Sequence, residues 1–118
     1  KTMKVFEIIE LLQGELITGE ELVDTEITSA CGSDMMSDVL AYVKNQGLLL
    51  TGLTNPQSVR TAEMMDMHCV VFVRGKKPDQ DTIRLAKERD IILIATSMPM
   101  VKACGLLYKN GVDEVAGK

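Results

Sequence analysis

Residues 47–57 read GLLLTGLTNPQ. A short apolar run breaks off in a turn carrying Gly and Thr, and an Asn-Pro pair opens a new segment. The reading is a buried strand over 48–51, a tight loop and a helix start. Asn55 is a good N-cap, and Pro56 suits the first helical position, where its missing N–H costs nothing. In an open α/β sheet, the loop that follows such a strand lies at the carboxyl edge, where ligands bind.

The segments downstream repeat the scheme. A helix is expected over 56–67, with Val59, Ala62 and Met65 inward. Residues 69–73 form a continuous, β-branched apolar run, the pattern of a strand covered on both faces. Gly75 ends it, and a helix over 79–89 follows. Asp79 and Asp81 in its first turn and Lys87 and Arg89 in its last suit the helix dipole. Residues 91–95 are a further apolar strand, closed by Thr96 and Ser97. Pro99 opens a last helix with Met100, Val101, Cys104, Leu107 and Tyr108 on its inner face. Asn110 and Gly111 stop that helix, and 112–118 reads as a flexible tail.

Upstream, Val5, Ile8, Ile9 and Leu12 recur at helical spacing, so 4–13 is an amphipathic helix ended by Gly14. Residues 15–18 read as a strand, 20–25 as an acidic link and 26–31 as a second strand. Ser33 or Asp34 is placed to cap a helix over 35–46, whose apolar face is Met36, Val39, Leu40 and Val43. Strand and helix thus alternate with short links. The expected fold is a three-layer α/β sandwich, a mainly parallel sheet flanked by helices, in one domain over 4–111.

Composition narrows the function. The chain has 118 residues, 46% of them apolar and 25% charged, a balance typical of a globular domain. It holds no Trp, two Tyr and two Phe, so the core must be aliphatic and base-stacking surfaces are disfavoured. A net charge of −4 argues against a broad basic face for nucleic acid or membrane. Cys31, Cys69 and Cys104 are odd in number and widely spaced, which fits reduced, mostly buried thiols in a cytoplasmic protein. No apolar run reaches the roughly 20 residues of a membrane span. The opening KTMKVFEII lacks the apolar core and cleavage site of a signal peptide.

The run LLLTGLTNPQSVRTAEMMDMHCVVFVRGKKPDQDTIRLAKERDIILIATSMPM, with ITSACGSDMMSDVLAYV before it, resembles a DRTGG domain. The telling elements are the strand-Thr-Gly turn, the Gly-x-x-Pro turn over 75–78 and the strand ending Ile-Leu-Ile-Ala-Thr-Ser. The resemblance spans about 5–111. It implies a fold like the amino-terminal domain of HPr kinase/phosphorylase, and a regulatory role in ligand sensing or dimer formation. Such domains occur alone or beside CBS domains, phosphotransacetylases and some inorganic pyrophosphatases. Stand-alone clostridial versions, some of which accompany iron-hydrogenase proteins, look most similar, which implies a protein partner linked to hydrogenase or signalling. One departure matters. The family's Asp-Arg pair is replaced here by Leu53, Thr54, Asn55 and Pro56, so the position of the loop carries over but its charged chemistry does not.

Four loops are expected at one sheet edge: 32–34, 51–55, 75–77 and 96–97. The candidate ligand-binding residues are Ser33, Thr51, Gly52, Thr54, Asn55, Gly75, Lys76, Thr96 and Ser97. Hydroxyls, backbone N–H groups and a Lys could hold a small anionic ligand there. The competing reading is that the same residues are ordinary caps and turns. Arg74, Lys76 and Lys77 form a basic cluster, either a solvated turn or an anion clamp beside Thr51. His68 and Cys69 are adjacent and would point to opposite faces of a strand, so they form no dyad. No catalytic motif, metal-ligand spacing or cofactor motif is recognisable, and no cofactor or metal is expected. Eight Met residues fit either core filling or a soft apolar surface for a partner or a second copy. The leading reading is a non-enzymatic regulatory domain that homodimerises. A sensor of anionic metabolites or nucleotides comes next, and an enzyme of unknown reaction last.

Overall fold

The computed structural model describes residues 2–42 and 47–114. Its elements run β1 (Met3–Lys4), α1 (Val5–Leu11), β2 (Glu15–Thr18), a 3-10 turn (Glu20–Leu22), β3 (Glu26–Ile27) and β4 (Ser29–Gly32). They continue with α2 (Met36–Tyr42), β5 (Leu48–Thr51), α3 (Pro56–Met64), β6 (Cys69–Phe72), α4 (Gln80–Arg89), β7 (Ile92–Ala95), α5 (Met100–Lys109) and β8 (Asp113–Glu114). The main sheet has the order β2-β7-β6-β5-β4-β8, and β1 pairs with β3 in a separate two-stranded ribbon. Strands β4, β5, β6, β7 and β8 are parallel to their neighbours, and β2 runs antiparallel to β7.

Alternation along the strands builds two cores. Leu48, Leu50, Cys69, Val71, Ile92 and Ile94 face α1 and α5. Leu49, Val70, Phe72 and Leu93 face α2, α3 and α4. This is the expected three-layer α/β sandwich. It also explains the continuous apolar runs, since each central strand is buried on both faces.

Several expectations need correction. The strand expected over 26–31 is two strands, one in the ribbon and one in the main sheet. Helix α3 ends at Met64, short of the expected 67, because Asp66 turns left-handed at φ 59°. Asp66 N then donates to Glu63 O and Met67 N to Ala62 O, a Schellman closure that returns Met67 to the core. Helix α1 closes in the same way on Gln13 rather than on Gly14. Gly14 serves close packing: a Cβ there would lie 2.7 Å from the Ile94 side chain.

On α5 the buried residues are Ala103 and Leu107, whereas Val101 is 84% and Tyr108 69% exposed, contrary to the expected inner face. Leu40 of α2 also lies at the surface, and the Val43 expected beside it falls outside the described residues. The expected tail starts too early. Val112 is buried, and Ser29 and Ala30 of β4 stand in register with Asp113 and Glu114. Residues 115–118 lie outside the described residues, as does 43–46 of the expected helix over 35–46. The methionines divide. Met36, Met67 and Met98 are buried, while Met35 and Met64 are exposed.

Candidate functional site

Because β4, β5, β6 and β7 are parallel, the loops after them share one edge of the sheet. The loops are bonded to one another. Ser33 N donates to Leu50 O, Arg74 N to Met98 O, and Gly75 N to Thr96 O. At the centre of the edge is a group that sequence reasoning assigned only to helix capping, the carboxylate of Asp34. Its Oδ1 accepts from Gly52 N at 2.6 Å and from the Thr51 hydroxyl at 3.4 Å, and its Oδ2 from Arg74 Nη2 at 3.1 Å. Asp34 therefore joins three strand ends and does not cap α2. The Gly52 N–H bond, reinforced by Arg74 and Thr51 against a smaller effect of burial, holds the Asp34 carboxyl below its ordinary value.

Two features place Arg74. Its backbone is left-handed, at φ 61°, immediately after the extended run of β6. Among the described residues, the other non-glycine residues with positive φ, Gln13, Asp66 and Asp90, each follow a helix; Arg74 does not. This turn coincides with a guanidinium that lies back over the β5–α3 loop. There Gly52 gives way to it, for a Cβ on Gly52 would collide with Arg74 Nη2 and sit 2.9 Å from its Cζ.

The expected ligand-binding residues fall into groups. Thr51 and Gly52 converge on Asp34. Thr96 is buried, and its hydroxyl is fully engaged: it donates to Leu12 O at 2.6 Å and accepts from Met98 N. Ser33 Oγ bonds the N–H and carbonyl of Met35, Asn55 Oδ1 caps α3 through Gln57 N, and the Gly75 N–H is taken by Thr96 O. Thr54 holds the start of α4 through its carbonyl, which accepts from Asp79 N. Lys76 and Ser97 are exposed at the edge. Lys77 pairs with Glu15 of β2. Of the basic cluster, Arg74 reaches the Thr51 loop, but with its charge already met by Asp34.

Cavities also lie elsewhere among the described residues. A cleft of about 620 Å³ between β2, the 3-10 turn and the end of α4 carries Glu20, Glu21, Lys87 and Asp90. It sits where β7 begins, away from the loop edge. A second, of about 360 Å³, is an apolar groove between α5 and β4, lined by Ala30, Gly32, Leu50, Cys104, Leu107 and Tyr108. The three thiols are unpaired, and burial raises each of them above the ordinary value, so none is primed as a nucleophile. Cys31 and Cys104 pack against opposite faces of the sheet. Among the described residues no three His, Cys, Asp or Glu side chains gather as a metal site, and no helix is long and apolar enough to cross a membrane.

No protein-family model matches this chain, and no curated protein matches it. Among solved structures it is similar to the CBS and DRTGG domains of the regulatory region of Clostridium perfringens pyrophosphatase, complexed with the activator diadenosine tetraphosphate. The TM-score is 0.69 at 16% identity, covering 88% of this chain and 45% of that one. The chain thus spans less than half the length of that structure. The likeness establishes the fold alone, a mixed α/β domain with a mostly parallel sheet between helices.

Proposed function

We propose that this chain is a non-catalytic regulatory domain of the stand-alone DRTGG type, sensing a small anionic ligand at the carboxyl edge of its sheet. The observation that carries the reading is the meeting of a guanidinium, a backbone N–H and a hydroxyl at one point, with Lys76 exposed nearby. Donors of this kind suit a phosphate or carboxylate. The similar fold belongs to a regulatory region that was crystallised with a nucleotide activator, which supports nucleotides as the first class to test. The unpaired thiols agree with action in the cytoplasm.

A thermal-shift screen tests this. Diadenosine tetraphosphate, ATP, AMP and phosphorylated metabolites should include at least one that raises Tm in a concentration-dependent way, because a ligand bound to the native state stabilises it. A flat response across the set at millimolar concentration removes the reading.

The same domain is proposed to homodimerise through α5. Val101 and Tyr108 lie seven positions apart on one exposed stripe, with the small Gly105 between them and the apolar groove alongside. Sedimentation should show a dimer that Val101→Glu with Tyr108→Glu converts to monomer. A wild-type chain that stays monomeric at high concentration would leave a protein partner as the occupant of this face, to be sought by pull-down.

A further inference from the structure

We infer that Asp34 is a built-in competitor for the ligand, an internal carboxylate seated where an external phosphate oxygen would bind among Gly52 N–H, the Thr51 hydroxyl and Arg74. The inference rests on the anion-sensing reading above and adds how the site is regulated.

The geometry is that of an anion site already filled. A carboxylate that served only to cap a helix would turn to N–H groups in the next turn of its own chain. Asp34 instead reaches a backbone N–H 18 residues away and a guanidinium 40 residues away. It uses both oxygens, and the three donors come from two other loops. The donor side is shaped for a charged contact as well. Arg74 adopts a left-handed backbone that only a minority of residues tolerate, and Gly52 leaves the space its guanidinium occupies.

Nor is the carboxylate walled in. The side chains of Asp34 and Arg74 are 52% and 43% exposed, so water and solutes reach the pair. Asp34 stands between β4 and α2, outside both elements. It can therefore swing outward by side-chain rotation alone, leaving the sheet intact. An exposed ion pair of this kind is weak, which makes it displaceable by an anion of higher charge. A polyanion such as pyrophosphate or a nucleotide phosphate chain brings more oxygens and more charge than one carboxylate, and Lys76 lies two residues from Arg74 to receive them. While Asp34 is seated, the apparent affinity is reduced by the fraction of molecules in which the seat is open. The site would thus respond to polyphosphates and ignore monovalent carboxylates.

The test is a titration of the whole chain with inorganic pyrophosphate, followed by calorimetry and by the amide shift of Gly52 and the carboxyl carbon shift of Asp34. In the wild type the two signals should move together as pyrophosphate displaces the carboxylate. Asp34→Asn keeps the shape and an acceptor oxygen for Gly52 but removes the charge. It should bind pyrophosphate roughly tenfold more tightly than the wild type, and Arg74→Gln should abolish binding. Tighter binding by Asp34→Asn, or coupled movement of Gly52 and Asp34 in the wild type if that variant does not fold, supports the inference. Weaker or unchanged binding by a folded Asp34→Asn overturns it while leaving the sensing function standing. So does a wild-type response at residues away from Gly52. Absence of pyrophosphate binding in every form of the chain overturns the inference, and the nucleotide screen decides the sensing reading separately.

Discussion

Thr18 and Thr61 are both buried threonines, and the structure assigns them opposite energetic roles. Thr18 sits where the register of β2 against β7 slips, and its hydroxyl repairs the ladder there: it donates to Ile91 O at 2.8 Å and accepts from Leu93 N at 3.1 Å. Thr61 Oγ1 in α3 is buried with no hydrogen-bond partner. The isosteric change to Val therefore has two signs. Thr18→Val strands a carbonyl and an N–H, and chemical denaturation should show a loss of about 1–3 kcal/mol. Thr61→Val removes an unsatisfied hydroxyl and should gain about 1 kcal/mol in the same measurement. Nothing in the sequence separates these two threonines, because the partners of Thr18 lie more than 70 residues away. Separation along the chain, here 40 residues, also hid the pairing of Asp34 with Arg74. Each is visible as a loop residue, but their meeting depends on the register of three parallel strands. Their charges also make a prediction with acid. The folded-state value of Asp34 lies below the ordinary Asp value of 3.8, so the stability it contributes is present above that value and is lost as pH falls through the depressed one. Asp79, whose carboxylate accepts from the Thr82 hydroxyl and N–H, acts with the same sign. Urea unfolding from about pH 5 down to about pH 2 should fall less steeply for Asp34→Asn and Asp79→Asn than for the wild type, and equal slopes would deny that these carboxylates are favoured in the folded state.

The helices were legible from the sequence, and so were the ends of α4 and α5, but the end of α3 was not. At the starts, Asn55 caps α3 as expected, Asp79, expected inside the first turn of α4, stands one place earlier as its N-cap, and Asp34 turns to other strand ends instead of capping α2. At the other end, Gln13, Asp66, Asp90 and Gly111 each take the left-handed conformation after α1, α3, α4 and α5. The residues that follow, Gly14, Met67, Ile91 and Val112, donate back to Ile9, Ala62, Ala86 and Leu107. One closure thus serves four helices, and in three of them no glycine marks it. Sequence reading looks for glycine at that position and so ran α3 on to residue 67. Leaving the helix early sends Met67, Ile91 and Val112 into the core, which propensity alone would not reveal. Gln13 and Gly14 separate the two uses of glycine in a single test. Gln13→Gly should stabilise by about 0.5–1 kcal/mol, because the left-handed strain of about 1–2 kcal/mol exceeds the entropy cost of glycine. Gly14→Ala should destabilise by about 1–3 kcal/mol, since its methyl meets the Ile94 side chain and, at 3.3 Å, the Ala95 carbonyl. If Gly14→Ala proved neutral, the packing of α1 on β7 would be looser than the structure gives.

At the scale of the whole molecule, the chain lays down β4, β5, β6 and β7 side by side, with α2, α3 and α4 all on one face. It then changes face. Helix α5 leaves β7, crosses the other side of the sheet against β4 and β5, and delivers β8 to the far edge. The alternation of strand and helix gave the parallel core away, because strands covered on both faces must be apolar throughout. The return of α5 left no such mark. Its first and last turns hold Val101 and Tyr108, which a helical wheel assigns inward, and the two-residue β8 is too short to show alternation. This architecture predicts a hierarchy of opening. Leu49, Val70 and Leu93 lie on three adjacent central strands with no exposed surface, so their amides can exchange only when the sheet itself comes apart. The ribbon of Met3–Lys4 with Glu26–Ile27 has two residues on each side and borders the α1 face, so it can open while the sheet stays closed. Native-state hydrogen exchange in low denaturant should therefore give the central amides a free energy equal to that of global unfolding, with full denaturant dependence. The Ile27 amide should exchange through a smaller, nearly denaturant-independent opening. Equal protection at Ile27 and Val70 would make ribbon and sheet one cooperative unit, and an early opening at Val70 would contradict a sheet buried on both faces.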